Sequence, residues 1–312
     1  MTTNSQTMPD SIRFDGQVAI VTGAGGGLGR SHALQLAARG AKVVVNDLGV
    51  ARDGTGNGLS AAESVVAEIR AAGGQAIASP ASVTDPAGVQ EMVEQAMREW
   101  NRIDILVNNA GFLRDKSFTK MTLDDFRAIV DVHLMGAVIC TKAVWDIMKQ
   151  QNYGRIVMTT SSSGLFGNFG QSNYGAAKMA LVGLMQTLSL EGEKYGIRVN
   201  CLAPTAATRM TEDLMPAEVL ALLTPESVTP GMLYLASREA PTRAVLCAGA
   251  GTFSRSYVTL SDGVHIGERP DAVEQLVANL DALSDRSKEI VPSAGFQQSQ
   301  MEVTKALAAR KR

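Results

Sequence analysis

Gln17-Val-Ala-Ile-Val-Thr22, running into Gly23-Ala-Gly-Gly-Gly-Leu-Gly29, decides how the rest of the chain is read. A short apolar run ends in a glycine cluster. A helical pattern from Ser31 through Ala38 follows and stops at Gly40, and Lys42-Val-Val-Val-Asn-Asp47 is a second run rich in β-branched residues. Strand, glycine turn, helix, strand is one βαβ unit. Gly23 permits the tight turn, and Gly27 removes a side chain where backbone approaches a pyrophosphate. Gly29 lets the helix pack closely on the sheet, and Leu28 lies in the same turn. The helix N-terminus adds N–H donors and partial positive charge. Asp47, about 20 residues further on, closes the second strand, where a carboxylate accepts hydrogen bonds from adenosine ribose hydroxyls. It would repel a 2′-phosphate, and none of residues 24–28 is basic. The expected cofactor is therefore NAD rather than NADP.

The alternation continues down the chain. Helices are expected near 60–72, 86–100, 123–150 and 173–195, and strands near 75–80, 103–107, 154–159 and 198–202. Short apolar strands alternating with helices predict an α/β fold, a single Rossmann-like doubly wound parallel sheet with helices on both faces. Residues 49–58 are glycine-rich and too long for an ordinary connection, so a surface loop is expected there. After Pro204 the rhythm loosens. Met210, Leu214, Met215, Leu220 and Leu222 would either line a substrate pocket beyond a strand's carboxyl end or belong to ordinary core. The domain reading is a disordered tail at 1–11, a dinucleotide-binding catalytic domain at 12–270, and a helical extension at 271–312.

Composition narrows the function classes. Hydrophobic residues make up 45% of 312, enough for a substantial core. A formal net charge of −2 gives no electrostatic reason to expect nucleic acid. Cys140, Cys201 and Cys247 fit no metal spacing and read as reduced, buried thiols, so no metal site is expected. Met1–Ser11 is polar without a signal-peptide core, and no run approaches the roughly 20 apolar residues of a membrane span. These features lead us to expect a cytoplasmic protein without a membrane partner. The terminal Arg310-Lys311-Arg312 reads as a solvated helix end.

Tyr174 and Lys178 stand at i and i+4 and share one helix face. A free tyrosine titrates near 10, too high for a base near neutrality. A nearby ammonium stabilises the phenolate, and lowering the value by two to three units takes roughly 3–4 kcal/mol. Ser161 ends the fifth strand inside Thr159-Thr-Ser-Ser-Ser163, where a hydroxyl can hold a substrate oxygen passing between alkoxide and carbonyl. Asn108-Asn-Ala-Gly111 follows the fourth strand, with residues that suit a turn beside a cofactor.

Thr22-Gly-x-x-x-Gly-x-Gly29, Asn108-Asn-Ala-Gly111, Ser161 and Tyr174-x-x-x-Lys178 together resemble the short-chain dehydrogenase/reductase family, over about residues 14–265. The resemblance implies that Tyr174 is the acid/base, Ser161 positions the substrate oxygen, and Lys178 lowers the tyrosine pKa and binds the nicotinamide ribose. It places Asn109, Ala110 and Gly111 beside the cofactor, Ser82 and Val83 at the adenine, and Pro204, Thr205 and Thr208 near the carboxamide. Many members carry Asp in place of Ser82. Many also hold a proton-relay water with an asparagine at the position of His133. Histidine there would serve the relay, be protonated, or be structural.

A narrower resemblance rests on Arg13-Phe-Asp-Gly16, Val44-Val-Asn-Asp-Leu-Gly49, Val132-His-Leu134, Gly167-Asn-Phe-Gly-Gln-Ser-Asn-Tyr174 and Arg209-Met-Thr211. It points to the dehydrogenase part of peroxisomal multifunctional enzyme type 2 and its stand-alone bacterial relatives. It implies oxidation of a (3R)-3-hydroxyacyl-CoA, with 17β-hydroxysteroids or another secondary alcohol as the alternative. Arg52, Lys116 and Arg209 are the candidates for the CoA phosphates. A catalytically silent NAD-binding sensor or scaffold is the reading from another class, and it is disfavoured because Ser161, Tyr174 and Lys178 are all present. The nearly all-round apolar helix after Tyr174 suggests burial on two sides, and hence a homodimer or homotetramer.

Overall fold

The computed structural model describes residues 11–49, 60–206 and 216–311. The chain divides into two compact units, one ending at Arg255 and the other beginning at Ser256. The boundary expected after residue 270 thus falls inside the second unit.

The first unit alternates strand and helix, and the expected βαβ rhythm extends through it. Its strands are β1 (Val18–Thr22), β2 (Lys42–Asn46), β3 (Gln75–Ser79), β4 (Ile105–Asn108), β5 (Gly154–Thr159), β6 (Ile197–Thr205), β7 (Val245–Gly249) and β8 (Thr252–Ser256). Its helices are α1 (Gly27–Ala38), α2 (Ser60–Ala71), α3 (Pro86–Trp100), α4 (Leu123–Val130), α5 (Gly136–Gln151), α6 (Ser162–Phe166), α7 (Ser172–Gly192), α8 (Ala217–Leu220) and α9 (Pro225–Ala236). The sheet order is β3-β2-β1-β4-β5-β6-β7-β8. The pairings from β3 across to β7 are all parallel. The order reverses between β1 and β4, which opens the crevice where such sheets bind ligands.

The central strands β1, β4 and β5 are buried along their whole length because both faces are covered. Alternate side chains point to opposite faces. Ala19, Val21, Val43 and Val45 pack with α1, α2 and α9, while Ile20, Val44, Leu106 and Ile156 pack with α3, α5 and α7. Polar groups mark the ends of elements. Asp85 caps α3 by accepting from the Ala87 N–H at 3.1 Å, and Asn101 closes that helix with φ 55°.

Three features depart from the sequence reading. The long helix expected at 123–150 is α4 and α5 joined by a π-turn, Asp131–Met135, with His133 inside it. After Pro204, β7 and β8 add two strands that the loosened pattern concealed. They are joined through Ala250 and Gly251, both at positive φ (49° and 72°), as in a tight hairpin turn. The stretches Leu123–Gln151 and Ala217–Ala236 are also long and apolar enough, by length and composition, to cross a membrane. Their buried residues, such as Val144, Met148 and Met232, belong to the two clusters beside the sheet.

The second unit contains α10 (Ala272–Ala278), α11 (Leu280–Ser284) and α12 (Phe296–Arg310), with an isolated antiparallel bridge between Leu260 and Ile290. All three helices lie within residues 271–312.

Candidate active site

At the carboxyl end of β1 the chain turns through Gly23 (φ 63°) and Gly27 (φ 51°) into α1. The N-cap of that helix is Gly26, which makes no side-chain cap hydrogen bond to its first N–H donors. A Cβ on Gly29 would lie 2.1 Å from the Gly23 carbonyl oxygen, so glycine is required there. Asp47 reaches across from the end of β2. One carboxylate oxygen accepts from the Gly25 N–H at 2.8 Å and the other from the Gly49 N–H at 2.7 Å. A carboxylate offers about four acceptor sites, so capacity remains for ribose hydroxyls. Gly25 was not singled out in the sequence. A Cβ there would lie 2.8 Å from the Asp47 carboxylate, so its role depends on a contact from another strand.

The Asn108–Gly111 turn locks onto this cradle. The Asn109 side-chain amide donates to the carbonyls of Thr22 (2.9 Å) and Gly23 (3.1 Å). The backbone N–H groups of Asn109 and Ala110 both donate to the Thr22 hydroxyl at 3.0 Å. The fit to a dinucleotide therefore rests on a cradle of backbone donors with no room for side chains and a carboxylate at its far edge.

Beyond β5, Ser161 caps α6, its Oγ accepting from the Ser163 N–H at 3.2 Å. Tyr174 and Lys178 lie on α7, and the Lys178 Nζ is 5.4 Å from the centre of the Tyr174 ring. Lys178 is buried, and its ammonium donates to the Thr159 carbonyl at 2.5 Å. The His133 ring stands edge-on to the Tyr174 ring, centroids 5.1 Å apart. The structure thus brings together all four expected catalytic residues.

Their electrostatics differ from expectation in one respect. Burial lifts the Tyr174 phenol above its ordinary value; the Ser161 hydrogen bond opposes this, and the Asp115 carboxylate adds to it. Burial also pulls Lys178 down to about 7. With protein groups alone, desolvation dominates at both residues, and both are pushed toward neutrality. A cationic ring beside them would favour the phenolate.

His133 is held well below the usual imidazole range, first by burial and then by Lys178. Its Nε2 lies 2.8 Å from the Phe112 carbonyl and 3.3 Å from the Phe112 N–H. The shorter contact has the better geometry, so we assign the proton to Nε2. That leaves Nδ1 as an acceptor, and it is buried without a partner, as is Asn108 Oδ1. Both residues line a small cavity of about 10 Å³, the scale of a single water, with Thr22, Val83, Ala110 and Lys178. Asn108 Nδ2 is taken by the Thr141 hydroxyl at 3.1 Å. The sequence singles out only its neighbours in the Asn108–Gly111 turn as cofactor-binding, because its side-chain partner lies on α5.

The other expected residues are placed as follows. Val83 is buried against Gly136, and the Ser82 hydroxyl pairs with that of Thr84 at 2.8 Å. Pro204 and Thr205 end β6 beside Ala248 and Gly249. Leu220 is half-buried and Leu222 exposed. Lys116 is bridged to Asp125 at 2.8 Å, so its charge is already engaged. Cys140 and Cys201 are buried free thiols, whereas Cys247 is only half-buried. Arg52, Thr208, Arg209, Met210, Leu214, Met215 and the tail at 1–10 lie outside the described residues.

Known proteins resemble this chain in sequence and fold. The family described as short chain dehydrogenase matches residues 17–218. A short-chain type dehydrogenase/reductase of Mycobacterium tuberculosis is 49% identical over 281 residues, covering 90% of this chain and 97% of its own length. The peroxisomal hydratase-dehydrogenase-epimerase of Saccharomyces cerevisiae is 52% identical over 228 residues, covering 73% of this chain and 25% of its own. The solved full-length peroxisomal multifunctional enzyme type 2 of Drosophila melanogaster superposes with a TM-score of 0.79 at 36% identity. That superposition covers 96% of this chain and 50% of the fly enzyme. The chain spans half or less of these two multifunctional proteins.

Proposed function

This chain belongs to the short-chain dehydrogenase/reductase family and is an oxidoreductase of CH–OH groups; we propose that it oxidises a (3R)-3-hydroxyacyl-CoA to the 3-oxo thioester with NAD. The convergence of Ser161, Tyr174, Lys178 and the glycine cradle on one sheet edge carries the oxidoreductase chemistry. The substrate class is supported by likeness to a protein named hydratase-dehydrogenase-epimerase. A hydratase adds water to a double bond, and the alcohol so formed is what a dehydrogenase consumes.

Bound NAD would supply the hydride acceptor. Ser161 Oγ holds the substrate oxygen, and Tyr174 takes the hydroxyl proton as the carbonyl forms. Lys178, aimed at the Thr159 carbonyl and beneath the tyrosine ring, favours the phenolate once charged. His133 and Asn108 supply the relay. One water in their cavity would donate to Asn108 Oδ1 and His133 Nδ1 and accept from Lys178 Nζ, satisfying two buried orphan acceptors at once. His133→Ala should then shift the pH–rate profile, and an unaltered profile excludes the relay.

Asp47 supports NAD over NADP. The deciding experiment follows reduced-cofactor absorbance across (3R)-3-hydroxyacyl-CoA and 17β-hydroxysteroid substrates with both cofactors. We expect the thioesters and NAD to be preferred by at least about tenfold, the scale of one lost charge-assisted interaction. Preference for steroids or for NADP overturns the corresponding half of the assignment.

A homo-oligomer is part of the same proposal. Met135, Met179 and Leu190 leave 43%, 40% and 46% of their surface exposed on the π-turn and α7, an apolar stripe that a second copy would cover. Sedimentation at micromolar concentration tests it, and a clean monomer overturns it.

A further inference from the structure

Between β4 and α4 the chain runs Gly111-Phe-Leu-Arg-Asp-Lys116, and this strap is tied to the entry of α7. The Lys116 N–H donates to the Gly170 carbonyl at 2.9 Å. Asn173, wholly buried, donates through Nδ2 to the Arg114 carbonyl at 3.2 Å and accepts through Oδ1 from the Tyr174 N–H at 2.7 Å. Gln171 Nε2 donates to Asp115 Oδ2 at 2.7 Å. Its Oε1 accepts from the Ser163 hydroxyl at 2.7 Å and from Asn168 Nδ2 at 3.1 Å. A flip of the Gln171 amide would turn its NH2 group toward the Asn168 donor and its oxygen toward a carboxylate, so its orientation is fixed. Since the Ser163 N–H donates to Ser161 Oγ, hydrogen bonds link Asp115 through Gln171 and Ser163 to the substrate-positioning serine.

We propose that Asp115, held by Gln171, is a specificity-determining residue that disfavours an anionic group beside the reacting carbinol, so that the site accepts the thioester and rejects the free 3-hydroxycarboxylate. The proposal rests on the acyl-thioester reading above. Its physical basis is a negative charge anchored on Gln171, three residues before Tyr174 at the start of α7, and joined through Gln171 and Ser163 to Ser161. The neighbouring cations do not cancel it. Arg114 and Lys116 both turn to Asp125 on α4, at 3.5 and 2.8 Å. Among the described residues, the other charged or titratable groups in ring contact with Tyr174 are Lys178 on its own helix and His133 on the π-turn. Asp115 also adds to the rise of the Tyr174 pKa, which agrees with its closeness.

The test compares kcat/KM of the NAD-saturated enzyme for two small substrates, the N-acetylcysteamine thioester of (3R)-3-hydroxybutyrate and the free acid. These omit the phosphates of CoA, so only the charge beside the carbinol differs. In Asp115→Asn the ratio of free acid to thioester should rise about tenfold, the scale of one partly screened unit charge. Gln171→Met, which releases the carboxylate without removing it, should raise the ratio by a smaller factor. An unchanged ratio in Asp115→Asn overturns the proposal. If the thioester is not oxidised at all, the acyl reading fails, and a second measurement still judges Asp115. For whichever secondary alcohol is turned over, Asp115→Asn should move the acidic limb of kcat to lower pH, because a phenolate no longer faces a carboxylate. An unmoved limb overturns the proposal.

Discussion

The two halves of the sheet's carboxyl edge are built from different materials. At β1 and β2 the cradle is mostly backbone, with Gly23, Gly27 and Gly29 keeping side chains out and one carboxylate, Asp47, at the rim. At β4 and β5 the site is mostly side chain, with Ser161, Tyr174, Lys178 and His133 arriving from α6, α7 and the π-turn. Backbone construction needs only local conformation. Side-chain construction needs elements far apart in sequence to meet, so it depends on the rest of the fold.

The largest test of this division is Tyr174→Phe. It should lower kcat about 10³-fold, within the range for removing a general acid/base. NAD affinity, by fluorescence titration, should stay within about threefold. A parallel loss of NAD affinity would mean that the halves are not separable.

Two glycines sharpen the contrast. In Gly29→Ala the new Cβ meets a backbone carbonyl oxygen at 2.1 Å, and in Gly111→Ala it meets the His133 ring at 2.0 Å. The first clash is with backbone, so Gly29→Ala should cost about 2–3 kcal/mol by urea denaturation and most of the NAD affinity. The second is with a side chain that can be displaced, so Gly111→Ala should cost less stability but lower kcat at least tenfold as the ring moves. The reverse ranking would contradict the backbone/side-chain distinction.

A smaller test uses the buried imidazoles behind each half. His32 on α1 is pushed down to about 3 by burial, and its Nδ1 lies 2.9 Å from the Thr229 hydroxyl. Below about pH 6.5 the unfolded chain takes up a proton that buried His32 does not, so stability is lost as pH falls toward 3. At pH 5 the loss should be about 2 kcal/mol for this residue, and urea midpoints measured from pH 7 to 4.5 would show it. His32→Asn should flatten the profile, while His133 supplies a second loss of the same sign.

The same division explains how legible the sequence was. The cradle could be read almost entirely, because a strand, a glycine turn and a helix are contiguous. Only Gly25 escaped, since its constraint is the Asp47 side chain arriving from β2. Tyr174, Lys178 and Ser161 were legible through spacing and family resemblance, but their electrostatics were not, because desolvation depends on what covers them. Asn108 was legible only as part of its turn motif, and Gln171 and Asp115 gave no signal of their function, as their partners are on other elements. The hairpin of β7 and β8 was hidden because β8 is mostly exposed and carries little apolar pattern.

The π-turn at Asp131–Met135 also sets the phase of the helix that follows. An α-helix advances about 100° per residue, so one extra residue in a turn rotates everything beyond it by that amount. Ala137, Cys140, Val144 and Met148 face the core on α5 only with that rotation in place. Deleting a single residue from the turn would swing this whole stripe away from the sheet while withdrawing the imidazole from Phe112. The insertion that delivers His133 therefore also chooses which side of α5 is the inside.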